Sequence, residues 1–474
     1  MKKIKLLILT LSVLSLYRCD DLSDLNVDPN TAVAVAPSTL LTTAQFNYYS
    51  RVSGVNMNAD WGQLMVQYWA QNEYTEEQRY NVNVTHFNAS WRVFYADVLK
   101  ELYSAKELVE NELISDDIKT NKKNILDVMI AQTFITLTDS YGDVPYTEAI
   151  SDISLPAYDK QEIIYKGILE MLKNASDTYV SSANSFSSGD VIYGGNIENW
   201  KKLTNSLMLK YAMRLSDIDP STAEKYAKAA ENNLISNNAE NALFTFDSNE
   251  DRANPLFRNL SPLIDNRDDY CVSEYLVTTL ESMGDPRLDE YAKPASGGTI
   301  VGMPYGLNDN DATNLKSTTS RPNDQVREAT TPHVVMSYSE VEFLLAEAYQ
   351  RNFLTGNAQD AYNKGIEASM NQWGITDGAT ISSYIANNPY NASNWKMSLG
   401  TQKWVALYMN GLEAWSEWRR LDYPQLAVPT EAVISSIPVK LPYPLSETQN
   451  NSNQLNQVTT TPGNLTNKVW WDVN

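Results

Sequence analysis

Apolar residues recur along most of this chain at helical spacing. Trp61, Leu64, Met65, Tyr68 and Trp69 fall at i, i+3, i+4, i+7 and i+8, Trp91, Tyr95, Val98, Leu99 and Leu102 repeat the interval, and Ile130, Phe134, Leu137 and Tyr141 follow it. Stripes of this kind bury one face of a helix against a neighbour. Further helices are expected over residues 159–179, 197–215, 221–234, 339–351, 358–373 and 401–421. In the fifth of these, Ala358, Ala361, Tyr362, Gly365, Ile366, Ser369, Met370 and Trp373 hold one face, with small residues that allow close helix packing. Alternating strand patterns are scarce, so the fold class expected is mainly all-α.

Several neighbouring segments read as helix–turn–helix pairs. AEAYQRNFLTGNAQDAYNKGIEASM holds a helix end, a Gly-containing turn and an Ala/Tyr/Gly-rich second helix, and DPSTAEKYAKAAENNLI supplies another such second helix. The pairs are similar to irregular tetratricopeptide units. Between about residues 236 and 332 the periodicity lapses, apart from one short helical pattern at 273–282, and Asn, Asp, Gly, Pro and Thr dominate. A loop-rich, non-repeat region of this sort is where function often resides.

The start of the chain changes the picture from a generic helical protein to an exported one. MKKIKLLILTLSVLSLYRC has a basic beginning and an apolar run from Leu6 to Leu16, too short for a membrane span. Its ending at Cys19 resembles a bacterial lipoprotein signal, although Arg18 stands where a small residue is usual. Residues 1–19 are therefore expected to be a leader ending at a lipidated cysteine, residues 20–37 an Asp/Asn-rich tether, and residues 38–474 a single domain. With Cys19 lipidated, Cys271 has no intrachain partner and reads as a small buried hydrophobe. Acids outnumber bases 58 to 37, for a net charge of −21, which disfavours nucleic acid and polyanionic ligands. Tyr (28) and Trp (11) outweigh Phe (10), a bias toward rings that pair an apolar face with a polar handle.

Recognisable catalytic chemistry is thin. His86 and His333 are the only histidines, and the chain has no HExxH, zinc-type cysteine spacing, GxSxG, P-loop or dinucleotide glycine motif. No catalytic residue, metal ligand or cofactor is assigned. Paired-carboxylate catalysis depends on a separation that sequence does not reveal.

Five ordered blocks carry a resemblance: TDSYGDVPYTEA, PAYDKQEIIYKGIL, IYGGNIENWKKLTNSLMLKYAMRL, SYSEVEFLLAEA, and TQKWVALYMNGLEAWSEWRRLDYP followed by PYP. Together with the Cys19 start they resemble the SusD-like (RagB/SusD) outer-membrane lipoproteins of Bacteroidetes. The resemblance implies a surface-exposed, lipid-anchored glycan- or nutrient-binding protein built on tetratricopeptide-like pairs, which forms a lid over a SusC-like TonB-dependent transporter. RagB-type members bind peptides, so a peptide ligand is the first alternative. An all-helical carbohydrate-active enzyme of the double α-ring type and a ligand-free interaction scaffold are the others.

Within the blocks the residues read structurally. In YGDVP, Gly142 stops a helix with a positive φ, Asp143 holds the turn and Pro145 prevents the helix from resuming. In WSEWRRLDYP a buried arginine paired with Asp139 or Asp143 is expected to brace that corner. Ligand residues must lie elsewhere. A binder of sugars needs flat aromatic faces for C–H stacking beside amides and guanidinium groups for the hydroxyls. Two stretches offer these: AQNEYTEEQRYNVN, with Asn72, Tyr74, Arg79 and Tyr80 and with Trp69 directly before it as a further candidate platform, and the surroundings of GMPYGLNDND, with Tyr305, Asn308 and Arg321.

Overall fold

The computed structural model describes residues 35–261 and 264–473. Cys19, the leader and the tether up to residue 34 lie outside the described residues. Pro37–Asn474 forms one compact unit.

Twelve longer helices are numbered here in chain order: α1 (Pro37–Val52), α2 (Lys100–Glu110), α3 (Asp116–Tyr141), α4 (Gln161–Thr178), α5 (Ile197–Arg214), α6 (Pro220–Ala230), α7 (Glu274–Met283), α8 (Tyr338–Gln350), α9 (Ala358–Gln372), α10 (Gly378–Asn387), α11 (Trp395–Ala406) and α12 (Gly411–Leu421). Neighbours pack in succession, α1 on α2, α3 on α4, α4 on α5, α5 on α6 and α8 on α9. This is the irregular tetratricopeptide-like, mainly all-α architecture that the apolar stripes imply.

Local chemistry sets the ends of these helices. Ser115 caps α3 by accepting from the Ile118 N–H, with Asp116 and Asp117 in the first turn where the helix dipole favours acids. The same helix stops at Gly142, whose φ of +86° an L side chain resists. The turn that follows stitches α3 to α4. Asp143 accepts from the Gln161 N–H at 2.9 Å and pairs with Lys160 at 2.8 Å, while Asp159 accepts from the Tyr146 and Thr147 N–H groups. The Asp143 carboxylate therefore holds the start of the next helix as well as the corner.

The two arginines of WSEWRRLDYP sit differently from the expected brace. Arg419 donates to the main-chain carbonyl of Asp139 at 2.8 Å, not to its carboxylate, and Asp143 is taken by Lys160. The Asp139 carboxylate instead accepts from Trp471 Nε1 and Tyr165 and lies 3.5 Å from Arg214. Arg420 turns to α8, where it pairs with Glu347, and Glu417 gathers Arg214, Lys403 and Arg420. These buried ions tie α5, α8, α11 and α12 together. Burial opposes the charge on Glu417, but Arg420, Lys403 and Arg214 outweigh it and hold the carboxyl well below the usual range.

Two expected helices end sooner than periodicity suggests. The 401–421 segment breaks into α11 and α12 at Met409, which has a φ of +73°. The break lets Gly411 meet Gly62 backbone to backbone. A Cβ on either glycine would come within 2.5–2.6 Å of the other's main-chain carbon, so both positions need hydrogen. The Trp61–Trp69 stripe is the second case. Its helix consists of wide π-turns over Val55–Gln63, the chain reverses at Gln67 (φ +57°), and Trp69 opens a strand rather than ending a helical turn.

That strand, β1 (Trp69–Gln71), pairs antiparallel with β3 (Tyr270–Val272), and β2 (Ala242–Phe244) pairs with β4 (His333–Met336). Both pairs anchor the loop-rich region to the helical scaffold. One apolar cluster runs from Leu41 in α1 to Trp471 near the chain end, and a second, around Phe343, Tyr362 and Ile366, joins α8 to α9.

Candidate functional site

The β1–β3 pairing places the two sequence-predicted stretches side by side. The Asn72 N–H donates to Asp269 O at 2.8 Å, the Thr75 N–H to Asp309 Oδ1 at 2.8 Å, and Gln78 Nε2 to Leu307 O at 3.0 Å. Lys316 pairs with Glu73 at 2.8 Å. Residues far apart in sequence thus form one surface.

The 71–80 loop is held tightly from within. The Gln71 N–H donates to Gln78 Oε1, and the Gln78 N–H donates to Gln71 Oε1 in return. Arg79 Nε donates to Thr75 O, and Arg79 O accepts from the Val433 N–H. Tyr74 and Tyr80 both take positive φ, +55° and +63°, a conformation most side chains avoid and which persists where surrounding contacts impose it. A loop so constrained presents its exposed side chains with little entropy left to lose on binding.

Tyr74 is the side chain so presented. It is 57% exposed, and the Arg267 guanidinium stacks on its ring at 4.4 Å. Arg267 is fixed in turn by Asp269 at 2.7 Å. Arg79 follows Tyr74 in the same loop, largely covered but with its side chain still 21% exposed. Asn308 caps a short helix by accepting from the Asp311 N–H, and its Nδ2 reaches Glu431 at 3.0 Å.

The other expected ligand residues lie beneath that surface. Trp69 is fully enclosed, donates from Nε1 to Tyr408 at 3.0 Å and packs against Tyr270, so its face is closed to a ligand. Asn72 is also enclosed and donates to Cys271 Sγ at 3.3 Å. Arg321 grips Asp268 through Nε and Nη2 and donates to the same sulfur at 3.0 Å. Cys271 is buried as expected, yet it serves as an acceptor in a polar cluster. Tyr80 is enclosed and Tyr305 is half-buried with its hydroxyl covered, and burial pushes both phenols up. These positions hold the loops; Trp69 is closed to solvent because β1 is buried on both faces.

Below the loop lies a titratable cluster. His86 Nε2 is 3.1 Å from Asp60, Tyr270 donates to the same carboxylate, and burial with Asp60 raises Glu77. Burial opposes the charged form of His86, but Asp60 and Glu77 prevail and raise it.

Sequence reasoning missed Arg267. Its signal was the charged run RDDY directly before β3, which reads as solvated charge until the pairing with β1 brings it over Tyr74.

Comparison with known proteins fits this architecture. The family described as "Starch-binding associating with outer membrane", SusD-like, matches residues 29–444. This chain belongs to the SusD-like family. Among solved structures, a chitin-binding protein is 30% identical with a TM-score of 0.82, over 92% of this chain and 100% of its own. A chitin-binding SusD homolog from Flavobacterium johnsoniae is 21% identical, TM-score 0.80, over 92% and 99%. A SusD homolog from Bacteroides uniformis is 24% identical, TM-score 0.79, over 92% and 99%. No curated protein matches the sequence significantly. Among the described residues, no helix is long and apolar enough to cross a membrane.

Proposed function

We propose that this SusD-like protein is a lipid-anchored glycan-binding protein of the outer-membrane surface that captures oligosaccharides and passes them to a SusC-like TonB-dependent transporter. The observation that carries the reading is Tyr74, an exposed aromatic face locked by backbone constraint and backed by Arg267, at the junction of the two loop regions. A flat ring stacks on the C–H face of a pyranose, and the neighbouring guanidinium pairs with its hydroxyls. The family description and the chitin-binding relatives support a carbohydrate ligand and a binding role rather than a cleaving one.

A glycan array that includes chitin and starch oligosaccharides, followed by calorimetry, tests the ligand. Binding of peptides instead would favour the RagB-type alternative, and release of reducing ends would favour an enzyme. Anchoring through Cys19 is tested by fractionation: a Cys19→Ala chain that stays with the membrane counts against it. Co-purification of a SusC-like barrel after gentle extraction tests the transporter partner.

A further inference from the structure

We propose that the chain carries a second binding cleft, for a neutral mono- or disaccharide, separate from the Tyr74 surface. The cleft encloses about 260 Å³ between β4, the start of α8, the end of α9 and the turn joining α11 to α12. Its rim is exposed at Gln325 and Pro332, and its floor at Leu256, Tyr408 and Glu340 is buried. Concave sites with apolar walls and a few polar groups are the usual form of small-ligand pockets.

The lining selects against charge. Glu340 is its one acidic residue and already pairs with Lys210 at 3.2 Å, while no lysine or arginine lines the cleft. His333 is neutral near pH 7, because burial and the charge of Lys210 push it down to about 3. An ionic ligand would enter without a counter-ion and lose its hydration, which disfavours it strongly.

What the lining offers suits a sugar. Six of its side chains are amides, among them Asn410 and Gln372, and two are the rings of Trp373 and Tyr408. Trp373 is partly exposed at the wall of the cleft, so its ring face can meet the C–H groups of a sugar while the amides pair with the hydroxyls.

The cleft is reached by fluorine NMR on fluorotryptophan-labelled protein. Of the 11 tryptophans, the Trp373 resonance is assigned as the one missing from Trp373→Phe. Glucose, N-acetylglucosamine, cellobiose and diacetylchitobiose are the probes. The expected result is a saturable shift of the Trp373 line with at least one of them, retained in Tyr74→Ala. No shift with any probe, as for a cleft that holds water alone, overturns the proposal, and so does a shift that vanishes in Tyr74→Ala. Failure of the Tyr74 surface to bind glycan would leave the Trp373 shift in place, so the two readings fail separately. If Trp373→Phe does not fold, crystals of the unsubstituted protein soaked in the same sugars decide the matter by density in the cleft or its absence.

Discussion

Arg420 grips Glu347 through both terminal guanidinium nitrogens, at 2.5 and 2.6 Å, with both side chains closed off from solvent. One partner comes from the WSEWRRLDYP block and the other from SYSEVEFLLAEA, so two separate signature stretches meet in a single ion pair between α12 and α8. Removing Glu347 leaves the buried Arg420 to Glu417, a carboxylate already shared with Arg214 and Lys403. Glu347→Gln is therefore expected to lower stability by about 3–5 kcal/mol in urea denaturation. Replacing both residues by apolar ones of similar size should restore a large part of that loss, and a single variant as stable as the parent would contradict the argument.

Gly142→Val is expected to cost about 1–3 kcal/mol through its positive φ. Steric crowding contributes little there, because a Cβ would meet Val469 and Tyr443 at ordinary contact distances of 3.8 and 3.9 Å. The melting temperature should fall while ligand affinity of the folded fraction is unchanged. Lost binding with unchanged melting would move YGDVP from scaffold to site.

The helical scaffold was legible because its signals are local. Apolar periodicity marks α4, α5, α8 and α9 to within a few residues and the last turns of α3, and Gly142 announces where α3 stops. Breaks made by a left-handed Gln67 or Met409 were hidden, since neither residue type signals a positive φ. The arginine brace was half legible: burial followed from the pattern, but the choice of partner among Asp139, Glu347 and Glu417 is set by long-range packing. At the candidate site, sequence named two loops that the structure brings together, Tyr74 among them, but did not separate the exposed members from the enclosed ones. Which of Trp69, Tyr74 and Tyr80 faces solvent depends on the β1–β3 pairing across about 200 residues of chain, as its register shows.

His333 gives the protein a specific pH dependence. Its folded pKa of about 3 lies below the model-peptide value of 6.5, so the unfolded chain binds the proton first and stability falls as pH drops below 6.5. Between pH 7 and 5 the loss from His333 should be about 1–2 kcal/mol, and the raised His86 opposes it in the same window. The depressed carboxyls of Glu347 and Glu417 act in a different window: their stabilisation is complete above the unfolded value of 4.5 and is lost only below it. Urea titrations of a His333→Gln variant should flatten between pH 7 and 5 and still steepen under more acidic conditions. An unchanged slope above pH 5 would show that His333 is not the group responsible.

The Tyr74–Arg267 stack distinguishes a presented platform from an incidental exposed ring. Tyr74→Ala removes the stacking face, and by analogy with other ring–ring platforms about 1–3 kcal/mol of affinity should go with it, a loss of tenfold or more. Arg267→Ala leaves the ring but removes the guanidinium that pairs with ligand hydroxyls and frees the ring to rotate, so it should weaken binding, though less than Tyr74→Ala. Tyr80→Ala and Tyr305→Ala should behave differently again. Tyr80 is enclosed and Tyr305 packs half-buried against the core, so those variants should lower the melting temperature first and reduce affinity only as the loop loosens. Calorimetry beside thermal melts separates the classes. A Tyr74→Ala protein that binds the parent's glycan with full affinity would remove this surface from consideration, whatever the behaviour of the buried pair.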